Sequence, residues 1–251
     1  MLTKRKQRRF LAEKEQRWMH QLEAFGESHD DEALHRLRVE VKKIRALVKL
    51  ISTDSGKRAA GHFRGLKQMF REAGVIRDAA SQAQWLEQRH LMSPVEREQR
   101  AAFVRAAGDL FTSHLDRFRQ NGQKASRRLR SDAHSIHAGR IRRWFAREIL
   151  DAGILLSRQG PEIHDARKKI KTILYVHKLL PLAISQRIPL NTGYLDQLQE
   201  AIGQWHDAVL VRDQEAGEGR PLVQEIEQEV RNKERIVNEL ASEFATCLHW
   251  R

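Results

Sequence analysis

A single cysteine, Cys247, stands in a chain of 251 residues. No internal disulfide can form, and such sparing use suits a reducing cytoplasm. Proline is also scarce, at five residues, and aromatic residues make up only 6%. Few β-branched runs occur, and no stretch alternates apolar and polar residues as a half-buried strand must. No apolar run approaches the ~18 residues of a membrane helix. The first ten residues are basic but lead into no apolar signal core, so no export signal is read there. What abounds is charge, with 46 Lys and Arg against 33 Asp and Glu and a formal net charge of +13. The pI is near 10.3. That surplus attracts polyanions without choosing between nucleic acid, anionic lipid and polyphosphate. A composition rich in Arg, Leu, Ala, Glu, Gln and Lys predicts an all-α chain with a substantial core.

Residues 35 to 51 divide into two faces when wound at about 100° per residue. Leu37, Val41, Ile44, Leu47, Val48 and Ile51 form a broad apolar side, as a core-facing helix requires. His35, Arg38, Lys42, Arg45 and Lys49 fall within an arc of roughly 80° that no carboxylate interrupts. The pattern recurs later in the chain. His164 matches His35, Arg167 matches Arg38, Lys171 matches Lys42, Ile173 matches Ile44 and Lys178 matches Lys49, all at one offset. The same offset relates Leu66 to Leu195, Gln68 to Gln197, Gly74 to Gly203 and Asp78 to Asp207. This spacing predicts an internal duplication, with repeats of about 4–130 and 134–251 making a single domain over 1–251.

Periodicity and breakers predict the helices. The first runs from about Lys4 to Ala24, with Phe10, Leu11, Trp18, Leu22 and Phe25 inward and a solvated Lys/Arg cluster at its start. Gly26 to Asp31 reads as a turn, after which the signature helix extends to about Ser52. A third helix spans about Lys57 to Ala73, with Phe63, Leu66, Met69, Phe70 and Ala73 on its apolar face. Gly74 is expected to stop it, Arg77 to sit in the turn, and Asp78 to cap the next helix. Lys57, Arg64, Lys67 and Arg71 share an acid-free arc, whereas the second copy carries Asp196 and Glu200 where the first has Lys67 and Arg71. Ser93-Pro94 ends the following helix, and Asn121-Gly122 is expected to separate a helix over 95–120 from a very basic one over 124–130. In the second half, Ile141, Trp144, Phe145, Ile149 and Leu155 are core candidates. Leu180-Pro181 ends the second signature helix. Helices near 190–203 and 207–216, a joint over 217–221 and a last helix over 222–249 complete the chain.

His35-x-x-Arg38 followed by Lys42, Lys43 and Arg45, and then Gly74-x-x-Arg77-Asp78, resembles the CHAD family (conserved histidine α-helical domain). The second copies are His164-x-x-Arg167-Lys168-x-x-Lys171 and Gly203-x-x-His206-Asp207. The resemblance covers nearly the whole chain. It implies two pseudo-symmetric helical bundles sharing a basic groove that binds inorganic polyphosphate, in some members on polyphosphate granules. The residues expected to bind are His35, Arg38, Lys42, Lys43, Arg45, Lys49, Arg64, Arg71 and Arg77, with His164, Arg167, Lys168, Lys171 and Lys178 from the second copy. Two departures stand out: Leu174 replaces Arg45, and His206 replaces Arg77, so the second half is expected to grip the anion less firmly.

The physical chemistry agrees with that expectation. A row of cations can meet a phosphate chain charge by charge and release its counterions. Arg brings a planar fork and Lys a point charge. The alternatives are an ordinary solvated basic face, a nucleic-acid-binding protein, or an adaptor for an acidic protein. Tyr175 alone borders the stripes as an aromatic, so no stacking platform for bases is evident. No metal or cofactor is expected, because Arg and Lys flank both repeated histidines and would repel a cation. No catalytic residue is assigned. Glu13-Lys-Glu15-Gln-Arg17 and Glu96-Arg-Glu98-Gln-Arg100 only loosely match the strand motif of CYTH-type triphosphate-cleaving domains. The chain is therefore expected to bind rather than catalyse. Alanine at Arg38, Lys42, Arg167 and Lys171 is expected to leave the fold intact, and the repeated histidines to contribute more as pH falls toward about 6.

Overall fold

Thr3 accepts a hydrogen bond from the Lys6 N–H at 3.2 Å and opens the first helix, α1 (Lys4–Ser28). The structure is a computed structural model that describes residues 1–55, 58–158, 160, 162–217 and 224–248. Among them the chain is helical throughout, with one isolated bridge between Leu2 and Ile136 and no named strand. Lys57 and most of the expected joint over 217–221 lie outside the described residues, as do Gln159 and Pro161 before the second signature helix. Two compact units divide the chain, one over Leu2–Ile136 and the other over His137–Arg251 together with Met1.

In the N-terminal unit, α1 is followed by α2 (Asp31–Ser55), α3 (Arg58–His62), α4 (Arg64–Gln88), α5 (Pro94–Ser113) and α6 (Leu115–Asp132). Helices α1, α2, α4 and α6 pack in a ring, each on the next, while α5 lies along α4. The apolar stripe read from α2 is the core: Leu37, Val41, Ile44, Leu47, Val48 and Ile51 are all buried. Trp18, Leu22 and Phe25 of α1 meet it, with Phe25 edge-on to Phe111 at 5.3 Å and Phe111 tilted against Phe118 at 4.9 Å. Phe10, Phe63 and Phe70 are only half-buried, contrary to expectation. In the C-terminal unit, α7 (Ala138–Ser157), α8 (Glu162–Leu179), the short α9 (Leu182–Ser185), α10 (Thr192–Gly217), α11 (Gln224–Ser242) and α12 (Phe244–Cys247) follow. There α8 packs on both α7 and α10, and α10 on α11. Ile141, Trp144, Phe145 and Ile149 are buried as expected, but Leu156 rather than Leu155 completes that face.

The glycines expected to end helices do not. Helix α1 runs through Gly26 and stops at His29, which takes the left-handed conformation (φ 52°) and donates its N–H to Phe25. Helix α4 passes through Gly74, so Arg77 and Asp78 are mid-helix, and α10 passes through Gly203 in the same way. Helix α6 passes through Asn121-Gly122, and the real break before it falls at His114. Each of these glycines has a neighbour where a side chain would begin. A Cβ on Gly26 would stand 2.6 Å from Leu115, and one on Gly122 would stand 2.5 Å from the Trp18 ring. They admit close packing rather than a change of direction.

Gly122 offers a direct check. Alanine there would gain about 1 kcal/mol of helix propensity. It would also press on a fully buried Trp18 that is backed by Leu66, and overpacking of that kind costs about 1–3 kcal/mol. Gly122→Ala should therefore lower Tm by a few degrees, whereas Gly139→Ala, with nothing within 4 Å, should hold or raise it. Equal or raised Tm for both variants, by circular dichroism, would remove the packing role of Gly122.

Candidate functional site

Arg38 is the best-held residue of the predicted set. Its guanidinium donates to the Phe70 carbonyl at 3.0 Å, lies 4.5 Å from the Phe70 ring centroid and occupies the space above Gly74. Asp78, one turn beyond Gly74, is 4.0 Å away. Burial pulls the Arg38 guanidinium below its ordinary pKa; Asp78 opposes that shift and Arg77 adds to it. Arginine remains charged regardless. Arg38 is thus a packed side chain, only 15% exposed, that ties α2 to α4. Alanine there would remove this tie between helices as well as a charge, and the same holds for Arg167 on α8. That guanidinium donates to the Gln199 carbonyl at 2.9 Å and occupies the space above Gly203. The contact and its glycine recur at the sequence offset that relates the two stripes.

The seam between α2 and α4 carries the cations. Lys42 lies 6.0 Å from the Phe70 ring. Because α2 and α4 are antiparallel, each turn forward from Arg38 along α2 moves one turn back from Gly74 along α4. Arg45 is therefore level with Lys67, and Lys42 with Phe70 and Arg71. Arg45, Lys67 and Arg71 are exposed, and none has a carboxylate partner among the described residues. Lys49 and His35 are half-buried on the same face of α2. Arg77 is half-buried and near Asp31, whose carboxyl is raised by burial and by Asp30, with Arg77 pulling the other way. Lys43 does not join the seam. It lies off the arc and binds Glu40 at 2.5 Å, which also faces the buried Lys14 at 3.4 Å. Arg64 lines a separate depression with α3 and α6. Lys67, which shares the acid-free arc with Arg64 and Arg71 but is not among the expected binding residues, joins the seam.

The C-terminal unit neutralises part of its own stripe. Lys168 pairs with Asp165 at 2.8 Å, and Lys178 with Asp196 at 3.8 Å. Burial lowers the Lys171 pKa, with Arg167 adding and Glu200 and Asp196 opposing. Leu174 is buried where α2 has exposed Arg45. His164 stacks on His206 with ring centroids 3.9 Å apart, and its Nδ1 is buried without a hydrogen-bond partner among the described residues. Burial first, then His206, Lys168 and Arg167, push the His164 pKa down to about 4, with only Asp165 opposing. His206 is lowered as well, chiefly by burial. The expectation that both repeated histidines charge near pH 6 therefore fails for His164. Among the described residues no three His, Cys, Asp or Glu converge as a metal set, and no helix is long and apolar enough to cross a membrane.

These features define an all-α protein built on paired signature helices, each locked by an arginine over a glycine. The chain belongs to the CHAD domain family, whose sequence profile matches residues 5–214. Its fold is similar to that of a crystal structure of the CHAD domain from the plant Ricinus communis. The TM-score is 0.69 at 18% identity, over 97% of this chain and 86% of that one. No curated protein matches it in sequence.

The histidine pair makes stability depend on pH. The folded chain holds His164 near 4, while an unfolded one titrates near 6.5. Between those values the unfolded chain binds the proton more tightly, so this contribution is complete above about pH 6.5 and lost as pH falls toward 4. The full difference would correspond to about 3 kcal/mol, and screening at a ring that is not fully buried reduces the expected effect to roughly 1–2 kcal/mol. His164→Phe, which keeps the stack but cannot protonate, should flatten the fall in Tm across this range. An unchanged profile would show that the pair does not set it.

Proposed function

We propose that the α2–α4 seam of the N-terminal unit binds inorganic polyphosphate and holds it without cleaving it. The observation that carries this reading is a pair of walls whose stretch from Lys42 to Arg45 and from Lys67 to Arg71 turns no acid into the seam, the one carboxylate near the lock being Asp78 beside Arg38. Arg45 stands on one, Lys67 and Arg71 stand on the other, and none is engaged by a carboxylate among the described residues. A polyphosphate chain carries about one negative charge per phosphate, so such a ladder can meet it charge by charge and release its counterions. Membership of the CHAD family, which is linked to polyphosphate binding, supports the choice of ligand. Attachment to polyphosphate granules would follow from the same contact. The C-terminal stripe, with Asp196 and Glu200 in place of two cations, contributes less. Nucleic acid is the second reading, since it offers the same charge. Phe70, the aromatic of the seam, is covered by Arg38 and Lys42, which leaves it poorly placed to stack bases.

Three proteins separate a site from diffuse charge: wild type, Arg45→Ala/Lys67→Ala/Arg71→Ala, and Lys4→Ala/Arg5→Ala/Lys6→Ala. Each variant loses three exposed cations. The seam variant should lose at least about tenfold in affinity for long-chain polyphosphate, and its log K against log salt should become shallower by about two to three. The N-terminal variant should lose less than about threefold. Wild type should also prefer polyphosphate to single-stranded DNA of matched charge. Equal losses from the two variants would reduce the seam to part of a general basic surface, and equal affinity for DNA would favour the nucleic-acid reading.

A further inference from the structure

We propose that the depression between α3, α4 and α6 is a second anion site, built for a compact condensed phosphate such as pyrophosphate or the end of a polyphosphate chain. Its volume is about 580 Å³. Arg64 enters from the first turn of α4, and Lys124 and Arg128 from adjacent turns of α6. All three are exposed, and none has a carboxylate partner among the described residues. Three other arginines of α6 differ: Arg117 faces Glu72, Arg119 faces Asp116 and Glu23, and Arg130 is paired with Glu15, while Arg127, outside the depression's lining, is exposed without a carboxylate partner among the described residues. The helix neutralises its cations in those places and leaves Lys124 and Arg128 without a counter-charge, although like charges at i,i+4 disfavour a helix.

The floor brings the three cations together. Gly65 approaches α6 so closely that a Cβ there would stand 2.7 Å from the Asn121 carbonyl oxygen and 3.0 Å from the Ala125 methyl. Any larger residue would separate α4 from α6 and pull Arg64 away from Lys124. The nearby acid is Asp132, whose side chain is only 10% exposed and meets the His62 Nδ1 at 2.6 Å. That contact holds the carboxylate against the histidine at the rim. What remains is a small opening with two guanidinium forks and one ammonium, which suits a compact anion of several charges. The site stands on its own residues and rests on the polyphosphate reading only where a chain end is the source.

Titration of the full chain with pyrophosphate tests it. Wild type should bind pyrophosphate at near-physiological salt, Lys124→Gln/Arg128→Gln should lose at least about tenfold, and the Arg45/Lys67/Arg71 alanine variant should keep its affinity. Helicity by circular dichroism checks that the pocket variant is folded, and Arg64→Gln provides an independent second probe. A chain-end ligand would be displaced by short chains more readily than by the same mass of long ones, while a free pyrophosphate site would resist both; either result supports the pocket. No pyrophosphate binding by wild type, or equal loss from the pocket and seam variants, would overturn it. Long-chain binding that depends on the seam alone would then leave the proposed function standing. Pyrophosphate binding at the pocket without any long-chain binding would do the reverse.

Discussion

A charged side chain used as a helix spacer governs the geometry of both units. Arg38 gives up water to sit on α4, and the desolvation is visible in its lowered pKa. What offsets that cost is specific: a charge-assisted hydrogen bond to a main-chain carbonyl, contributing about 1.5–3 kcal/mol, and a ring face contributing about 0.5–2 kcal/mol. Neither is available unless the two backbones come close, and only glycine at position 74 leaves room for the guanidinium. The interaction thus fixes which turn of α4 stands opposite which turn of α2. From that register it follows that Lys42 and Arg45 stand level with Arg71 and Lys67. Arg167 and Gly203 repeat the arrangement between α8 and α10.

The same lock with different surroundings explains why the two seams differ in character. In α4 the positions beside the lock are Lys67 and Arg71; in α10 they are Asp196 and Glu200. The charge changes sign at both positions, a swing of four units from +2 to −2, while the buried contact stays the same. In the C-terminal unit Lys178 pairs with Asp196, and the rings of His164 and His206 meet where the N-terminal unit has His35 and Arg77. Packing therefore constrains one residue pair tightly and leaves the neighbouring positions open to a change of charge.

Much of this was legible in the residues. The apolar stripe of α2 is buried as its period requires, the acid-free arc is where about 100° per residue puts it, and the all-α class followed from composition. The glycines misled because sequence does not distinguish a residue that lacks a side chain in order to turn from one that lacks it in order to admit a neighbour. Gly26, Gly74, Gly122 and Gly203 are all of the second kind. Helix ends fell instead at His29 and His114, which carry no strong breaker signal. Arg38 and Arg167 read as surface cations because their stripe is polar, yet the facing glycine sinks them. Lys43 followed the motif rather than the arc, and Glu40 holds it. The depressed His164 pKa depends on a ring from another helix and has no local sequence signal.

If the arginine lock in the N-terminal unit sets the register of the binding face, filling its glycine should disturb binding more than stability. Alanine at Gly74 displaces only the flexible end of Arg38 and gains helix propensity, so the protein should remain folded. The most direct measurement is the polyphosphate affinity of Gly74→Ala beside that of Gly203→Ala, each with its Tm. The lock predicts a clear loss of affinity for Gly74→Ala and near-native affinity for Gly203→Ala, with both chains folded. Full affinity in folded Gly74→Ala, or an equal loss in the two variants, would contradict it.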